Sequence, residues 1–209
     1  MKVVSTNIAQ PTIIEWNGEQ VETGIYKKPT NTSVYLGKTD VKNDAVMDRK
    51  YHGGEHKACY FYAANHYEHF KVLYPHLKWE YGMFGENITL NNFEETNIRI
   101  GDTFQLGEAI IQVSEPRQPC FKLGVKFGTQ KILKDFIQSS YSGFYVRVIQ
   151  EGSVSVNDHL KLLKRNPNDL SVEDVFSLLS YNKHNQLLKH AIMEEPFLSD
   201  VYKSSILTQ

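Results

Sequence analysis

The sequence predicts a mainly β protein, a β-barrel with a few peripheral helices followed by a small three-helix C-terminal domain. Three observations carry this expectation. From Val3 to about Arg165 the chain is a series of short apolar or alternating runs separated by Gly, Asn and Asp, the pattern of strands joined by tight turns. Successive runs are split by as little as Gly101-Asp102 and Gly107-Glu108, which implies a meander, and closing a meander into a barrel removes its exposed edges. Beyond Asn166-Pro167-Asn168 the apolar spacing becomes helical, so the sequence divides into a barrel over 1–165 and a helical domain over 166–209.

Taken in order, strands are predicted at residues 12–16, 33–36, 97–100, 103–106, 109–113, 144–149 and 159–163, each rich in β-branched, aromatic or alternating residues. The apolar run Ala58-Cys59-Tyr60-Phe61-Tyr62 is also strand-like. Two helices interrupt the strands. Residues 63–73 place Tyr67, Phe70 and Leu73 on one side, and residues 130–139 repeat Ile132, Leu133, Phe136 and Ile137 at helical spacing. In the tail, Ser171 and Asp174 have the spacing of a capping box ahead of Val175, Phe176, Leu178 and Leu179. Residues 186–193 and 196–206 give two further short helices.

The composition excludes several classes. Of the 209 residues 41% are hydrophobic, enough for a substantial core. The formal net charge of -1 provides no global field to draw nucleic acid or an anionic membrane. No apolar run reaches the length of a membrane span and the first residues lack a signal-peptide core, so the expected location is the cytoplasm. Cys59 and Cys120 are the two cysteines. In a reducing compartment they predict no disulfide framework, and neither they nor the eight histidines have structural-zinc spacing. His66 and His69, three apart on a predicted helix, lack a carboxylate-rich partner motif and read as ordinary helical histidines.

Three stretches carry chemistry. In Val113-Ser114-Glu115-Pro116-Arg117-Gln118-Pro119-Cys120 two prolines stiffen the backbone before one thiol. Arg117 and Lys122 flank that thiol, as cations flank nucleophilic and metal-binding thiolates. Its plain alternative is a small buried side chain in a turn, the reading that suits Cys59. In Asp48-Arg49-Lys50-Tyr51-His52-Gly53-Gly54-Glu55-His56-Lys57, adjacent glycines follow a cluster of cations. Backbone amides with Arg49, Lys50 and His52 suit a phosphate or an anionic heterocycle, and the same stretch also reads as a solvated loop. Phe84-Gly85-Glu86-Asn87-Ile88 is a turn into a strand, whose Asn87 offers both donors and an acceptor.

DRKYHGG, FGENI and SEPRQPC, in this order, resemble the MOSC family, named for the C-terminal domain of molybdenum cofactor sulfurase, in its small stand-alone YiiM-type form. The resemblance covers nearly the whole chain, with a MOSC-type β-barrel and a short three-helix C-terminal domain. It implies a molybdenum cofactor (molybdopterin), with Cys120 as the protein ligand of the metal or, in sulfur-carrying relatives, as the bearer of a persulfide. It carries cofactor binding to Lys50, His52, Gly53, Gly54, Asn87, Arg117 and Cys120, and catalysis to Cys120 and His52. Arg49, Lys122 and Arg147 rest on charge alone. The implied reaction reduces N-hydroxylated compounds, hydroxylaminopurines and amidoximes, to amines. With no flavin, haem or iron-sulfur motif in the chain, electrons are expected from an external reductase. The resemblance also brings pyridoxal phosphate binding as a property of the family at large, and allows a homodimer. Alternative readings are a non-enzymatic cofactor carrier or sulfur-transfer module, and a cysteine hydrolase in which His52 activates Cys120.

Overall fold

The computed structural model describes residues 1–47 and 49–207, apart from the side chains of Lys50, Tyr51 and Leu207. Its strands are β1 (Val3–Ile8), β2 (Thr12–Trp16), β3 (Glu19–Thr23), β4 (Lys28–Pro29), β5 (Val34–Leu36), β6 (Cys59–Ala63), β7 (Ile88–Leu90), β8 (Thr103–Leu106), β9 (Ala109–Pro116), β10 (Phe144–Gln150), β11 (Gly152–Val154) and β12 (Lys161–Lys164). Its helices are α1 (Arg49–His52), α2 (His66–Leu73), α3 (Phe121–Phe127), α4 (Lys131–Ser139), α5 (Val172–Ser177), α6 (Gln186–Glu194) and α7 (Asp200–Leu207). Among the described residues no helix is long and apolar enough to cross a membrane.

Eight strands form one mixed sheet in the order β12-β8-β9-β10-β6-β7-β1-β4, with β6 and β7 parallel and the other pairs antiparallel. The predicted barrel does not close. At one edge β4 is two residues long and ends in Pro29, which has no amide to continue a ladder. At the other, β12 is exposed throughout and carries Lys161 and Lys164, charges that blunt an edge without closure. The two sides approach where Asn157, at φ 79°, turns the chain, and there they share the isolated bridge between Lys2 and His159. The β2–β3 hairpin and the β5–β11 pair stand as separate ribbons.

Both faces of β6 are buried, and its alternation splits the interior in two. Cys59, Phe61 and Ala63 enter an aliphatic-rich core with Val3, Ile88, Val113, Phe144 and Val146. Tyr60 and Tyr62 enter a second, aromatic core with Tyr67, Phe70, Phe84, Phe127 and Phe136, covered by α2, α3 and α4. The tail joins the first core through Leu170, Val172, Val175, Leu178, Ile192, Leu198, Tyr202 and Ile206. Ser171 caps α5 in a reciprocal box with Asp174.

Some local expectations differ. Residues 97–100, expected as a strand, form the end of a 3-10 turn (Glu95–Asn97) and a single bridge from Arg99 to Ser171. Their amides go to separate partners instead, Ile98 to the Glu95 carbonyl, Arg99 to Asp102 Oδ2 at 3.0 Å and Ile100 to the Leu170 carbonyl. The first helix starts at His66, since Cys59–Ala63 is strand. Helix α3 is absent from the sequence reading: Gly124 in its middle and its two-turn length hide its periodicity.

Candidate functional site

A cleft opens where the ends of β3, β6, β9 and β10 meet α1 and α3. Its walls include Ile25, Lys27, Asp44, His52, Lys57, Tyr60, Asn87, Arg117, Cys120, Lys122 and Tyr145. Cys120 reaches it because β9 ends at Pro116 and the chain runs through Pro119 to the N-cap of α3, where Cys120 is extended at φ -127° and ψ 169°. The Cys120 carbonyl accepts the Leu123 amide at 2.9 Å, which fixes the first turn beneath the thiol. From the far side Gln118 Nε2 donates to Ser205 Oγ of α7 at 3.0 Å, so the tail braces this loop. Cys120 is half-buried, whereas Cys59 is 1% exposed and burial pushes its thiol well up in pKa. Of the two thiols, the one aimed at the cleft is the accessible one.

The sulfur of Cys120 lies 3.8 Å from His52 Nε2, contact distance for a thiol and an imidazole. His52 closes the single turn of α1. The glycines after it shape the loop behind the cleft and do not line it. A Cβ on Gly53 would meet Val46 Cγ1 at 2.8 Å, and Gly54 sits at φ 91° with its amide donating to the Thr39 carbonyl at 3.1 Å. The Gly54 amide is therefore used within the protein. The Lys50 side chain lies outside the described residues. Arg49 is exposed and pairs with Asp40, and Arg147 is tied to Gln112, His56 and the Phe197 carbonyl; neither lines the cleft.

Asn87 lines the cleft, but its amide is engaged in holding the wall together. It donates to Asp44 Oδ2 at 2.9 Å and to the Asn7 carbonyl at 3.3 Å, and accepts the Tyr60 amide at 3.3 Å. Asp44 in turn pairs with the buried Lys27. Glu86 organises the preceding loop: its carboxylate takes the Tyr67 hydroxyl at 2.5 Å, the Gly82 and Phe84 amides and the Thr89 hydroxyl. Arg117 is buried, donates to the Phe84 carbonyl and lies over the Tyr60 ring at 5.0 Å. Burial works against its charge, yet the surrounding Tyr60, Tyr145 and Cys120 hold its pKa above the usual arginine value. Burial also raises Tyr60, and Tyr145 to about 12, so both phenols are neutral walls. Lys126, one α3 turn beyond Lys122, fastens the cleft by donating to the carbonyls of Ile25 at 2.9 Å and Gly82 at 2.8 Å.

The structure thus brings Cys120, His52, Asn87 and Arg117 together and adds Lys27, Lys57, Tyr60 and Tyr145, which the sequence reading did not assign. Only Lys57 carried a signal, as the last cation of the glycine-bearing stretch. The others are single residues scattered through loops and strands.

The open mixed sheet thus presents one accessible thiol beside an imidazole, in a cleft walled by cations and tyrosines. The MOSC domain family profile matches residues 48–161, and the chain belongs to the MOSC family. It is 37% identical over 205 residues, 98% of its own length and 92% of the relative's, to protein YflK of Bacillus subtilis (strain 168). The crystal structure of YiiM from Geobacillus stearothermophilus superposes with a TM-score of 0.82 at 30% identity, covering 99% of this chain and 97% of that one. A protein of Gibberella moniliformis named Reductase is 32% identical over 151 residues, 71% of this chain but 27% of that protein.

The MOSC family is associated with the molybdenum cofactor, and the donor set suits it. Among the described residues no group of three or more His, Cys, Asp or Glu side chains is placed to hold a metal ion. A bare ion would meet a single thiol and one imidazole, too few ligands for a protein-only site. A metal brought by an anionic organic ligand needs one thiolate and several cations, and the cleft supplies Cys120 with Lys27, Lys57, Arg117 and Lys122.

Proposed function

We propose that this protein binds the molybdenum cofactor with Cys120 as its protein ligand and reduces small N-hydroxylated compounds, hydroxylaminopurines and amidoximes, to the corresponding amines. The observation that carries this reading is the accessible Cys120 sulfur 3.8 Å from His52 Nε2 in a cation-walled cleft. When bound, molybdopterin supplies a centre that cycles two electrons and accepts one oxygen atom, chemistry no side chain provides. Cys120 holds the metal on a loop stiffened by Pro116 and Pro119 and braced by α7. The cleft cations offset the negative charge of the cofactor, and Tyr60 and Tyr145 keep one wall apolar and dry. His52 Nε2 delivers a proton to the departing hydroxyl oxygen, a role suited to an imidazole near neutral pH. The N–O bond breaks, an N–H bond forms, and two electrons from an external reductase with two protons yield amine and water.

The test is elemental analysis for molybdenum, with pterin fluorescence, on protein made in a host that synthesises the cofactor. It is followed by reduction of 6-N-hydroxylaminopurine or a simple amidoxime with reduced viologen. Metal-loaded protein inactive on every N-hydroxylated compound would instead identify a cofactor carrier. Protein that takes up no molybdenum would end the reading.

A further inference from the structure

Three of the four described cations in the cleft wall are already engaged by the protein. Lys27 pairs with Asp44, Lys57 Nζ lies 3.2 Å from Glu115 Oε1, and Arg117 donates to the Phe84 carbonyl. Asp44, the acidic residue of the wall, is saturated by Lys27, the Asn87 amide and the Ala9 N–H. Lys122 differs. It is 6% exposed, lines the same cleft as Cys120, and among the described residues has no ion-pair or hydrogen-bond acceptor. Its Nζ lies 5.9 Å from the centre of the Phe121 ring. The side chain is largely buried while Nζ, which is not among the fully enclosed unpartnered polar atoms, still reaches the cleft, so the partner of this charge has to come from the cleft itself.

We infer that Lys122 completes an oxyanion site beside Cys120, which takes a phosphate or carboxylate of the molecule that meets the thiol. The inference deepens the reading of the cleft as a ligand site and does not depend on molybdenum. Lys122 stands in the first turn of α3, whose N-cap is Cys120, and both residues line the same cleft. The oxyanion has two sources, the cofactor's own phosphate or an acidic group on the substrate. Lys27, Lys57 and Arg117 provide positive background, but their nearest acceptors belong to the protein, whereas the Lys122 charge is available to a ligand.

The experiment uses protein from a host unable to make the cofactor, and measures alkylation of Cys120 by iodoacetate and by iodoacetamide through mass spectrometry of the Cys120 peptide. Both reagents lose iodide to the same thiolate, so the ratio of their rates isolates the effect of the carboxylate. Lys122→Gln should lower the iodoacetate-to-iodoacetamide ratio about fivefold, the size expected when one nearby, partly screened unit charge is removed. Lys122→Arg should keep the ratio, and inorganic phosphate should slow alkylation of the parent protein but not of Lys122→Gln. An unchanged ratio in Lys122→Gln overturns the inference, as does absence of phosphate protection in the parent, a result that needs no variant to fold. In cofactor-loaded protein, lower molybdenum per chain in Lys122→Gln assigns the oxyanion to the cofactor. Full loading with a raised KM confined to acidic N-hydroxylated substrates assigns it to the substrate. Absence of molybdenum from the parent would sink the proposed reaction while leaving the alkylation ratio to decide on Lys122.

Discussion

Ser199, at the entrance to α7, donates its hydroxyl to Glu115 Oε2 at 2.7 Å, on the strand that leads into the Cys120 loop. The other Glu115 oxygen holds Lys57 on the cleft wall, so a single buried carboxylate joins the tail, β9 and the site. Glu115→Gln should keep the fold but weaken it by about 1–3 kcal/mol, because the buried carboxylate that receives the half-buried Lys57 ammonium and the Ser199 hydroxyl is replaced by a neutral amide. Urea denaturation with an unchanged slope is the check. No loss of midpoint would show that this junction contributes nothing.

The tail shares the core of the sheet, and its removal should have a global effect. Deleting 166–209 would uncover the aliphatic core along β9 and around Ile100 and strip the brace from Gln118. The truncated chain is expected to bind a hydrophobic dye and to lose its cooperative thermal transition. A cooperatively melting 1–165 fragment would show instead that the sheet is a domain by itself.

The two thiols should separate cleanly. Cys59→Ala removes a small group from the aliphatic core and should cost on the order of 1 kcal/mol while retaining dye-driven turnover. Cys120→Ala should lower turnover per bound molybdenum by at least about 100-fold, the loss of a residue essential to the reaction. Equal turnover per metal in Cys120→Ala and the parent would return Cys120 to a purely structural part.

Stability should rise with pH across the neutral range. Burial and then the charge of Arg147 depress His56, whose Nδ1 contacts Arg147 at 2.6 Å. A depressed folded value means that the unfolded chain binds the proton more readily. The stabilisation is thus complete above the ordinary value of 6.5 and is lost as pH falls through the folded value. Burial likewise lowers Lys126 to about 7 from 10.5, so in that interval the unfolded chain again holds more protons and stability climbs with pH. Melting temperature should be higher at pH 8.5 than at pH 5.5. Lys126→Met should flatten the alkaline part of this rise, and His56→Gln the acidic part.

What was legible in the sequence follows from range. Beta strands 8, 9 and 10, helix α4 and the Ser171 cap are set by neighbours a few residues apart, and their patterns show in the text. The Cys120 loop is written by its prolines in the same way. That the sheet stays open was illegible because it turns on how residues 157–160 meet the start of the chain, a pairing across most of its length. Lys27, Asp44, Tyr60 and Tyr145 were equally hidden, since nothing local distinguishes a tyrosine that walls a cleft from one that fills a core. Gly53 and Gly54 were visible as special, yet the reasons are a close approach to Val46 and a backbone at positive φ.

The cleft draws on segments from Thr23 to Tyr145, with α7 behind the loop that bears the sulfur. Contacts of such long separation are the last to repay the entropy of closing the chain, so the site assembles only when nearly everything else is in place. The thiol at position 120 is consequently a built-in clock for refolding. Its slowing toward phosphate-competed alkylation should lag behind the recovery of secondary structure and coincide with docking of the final helix.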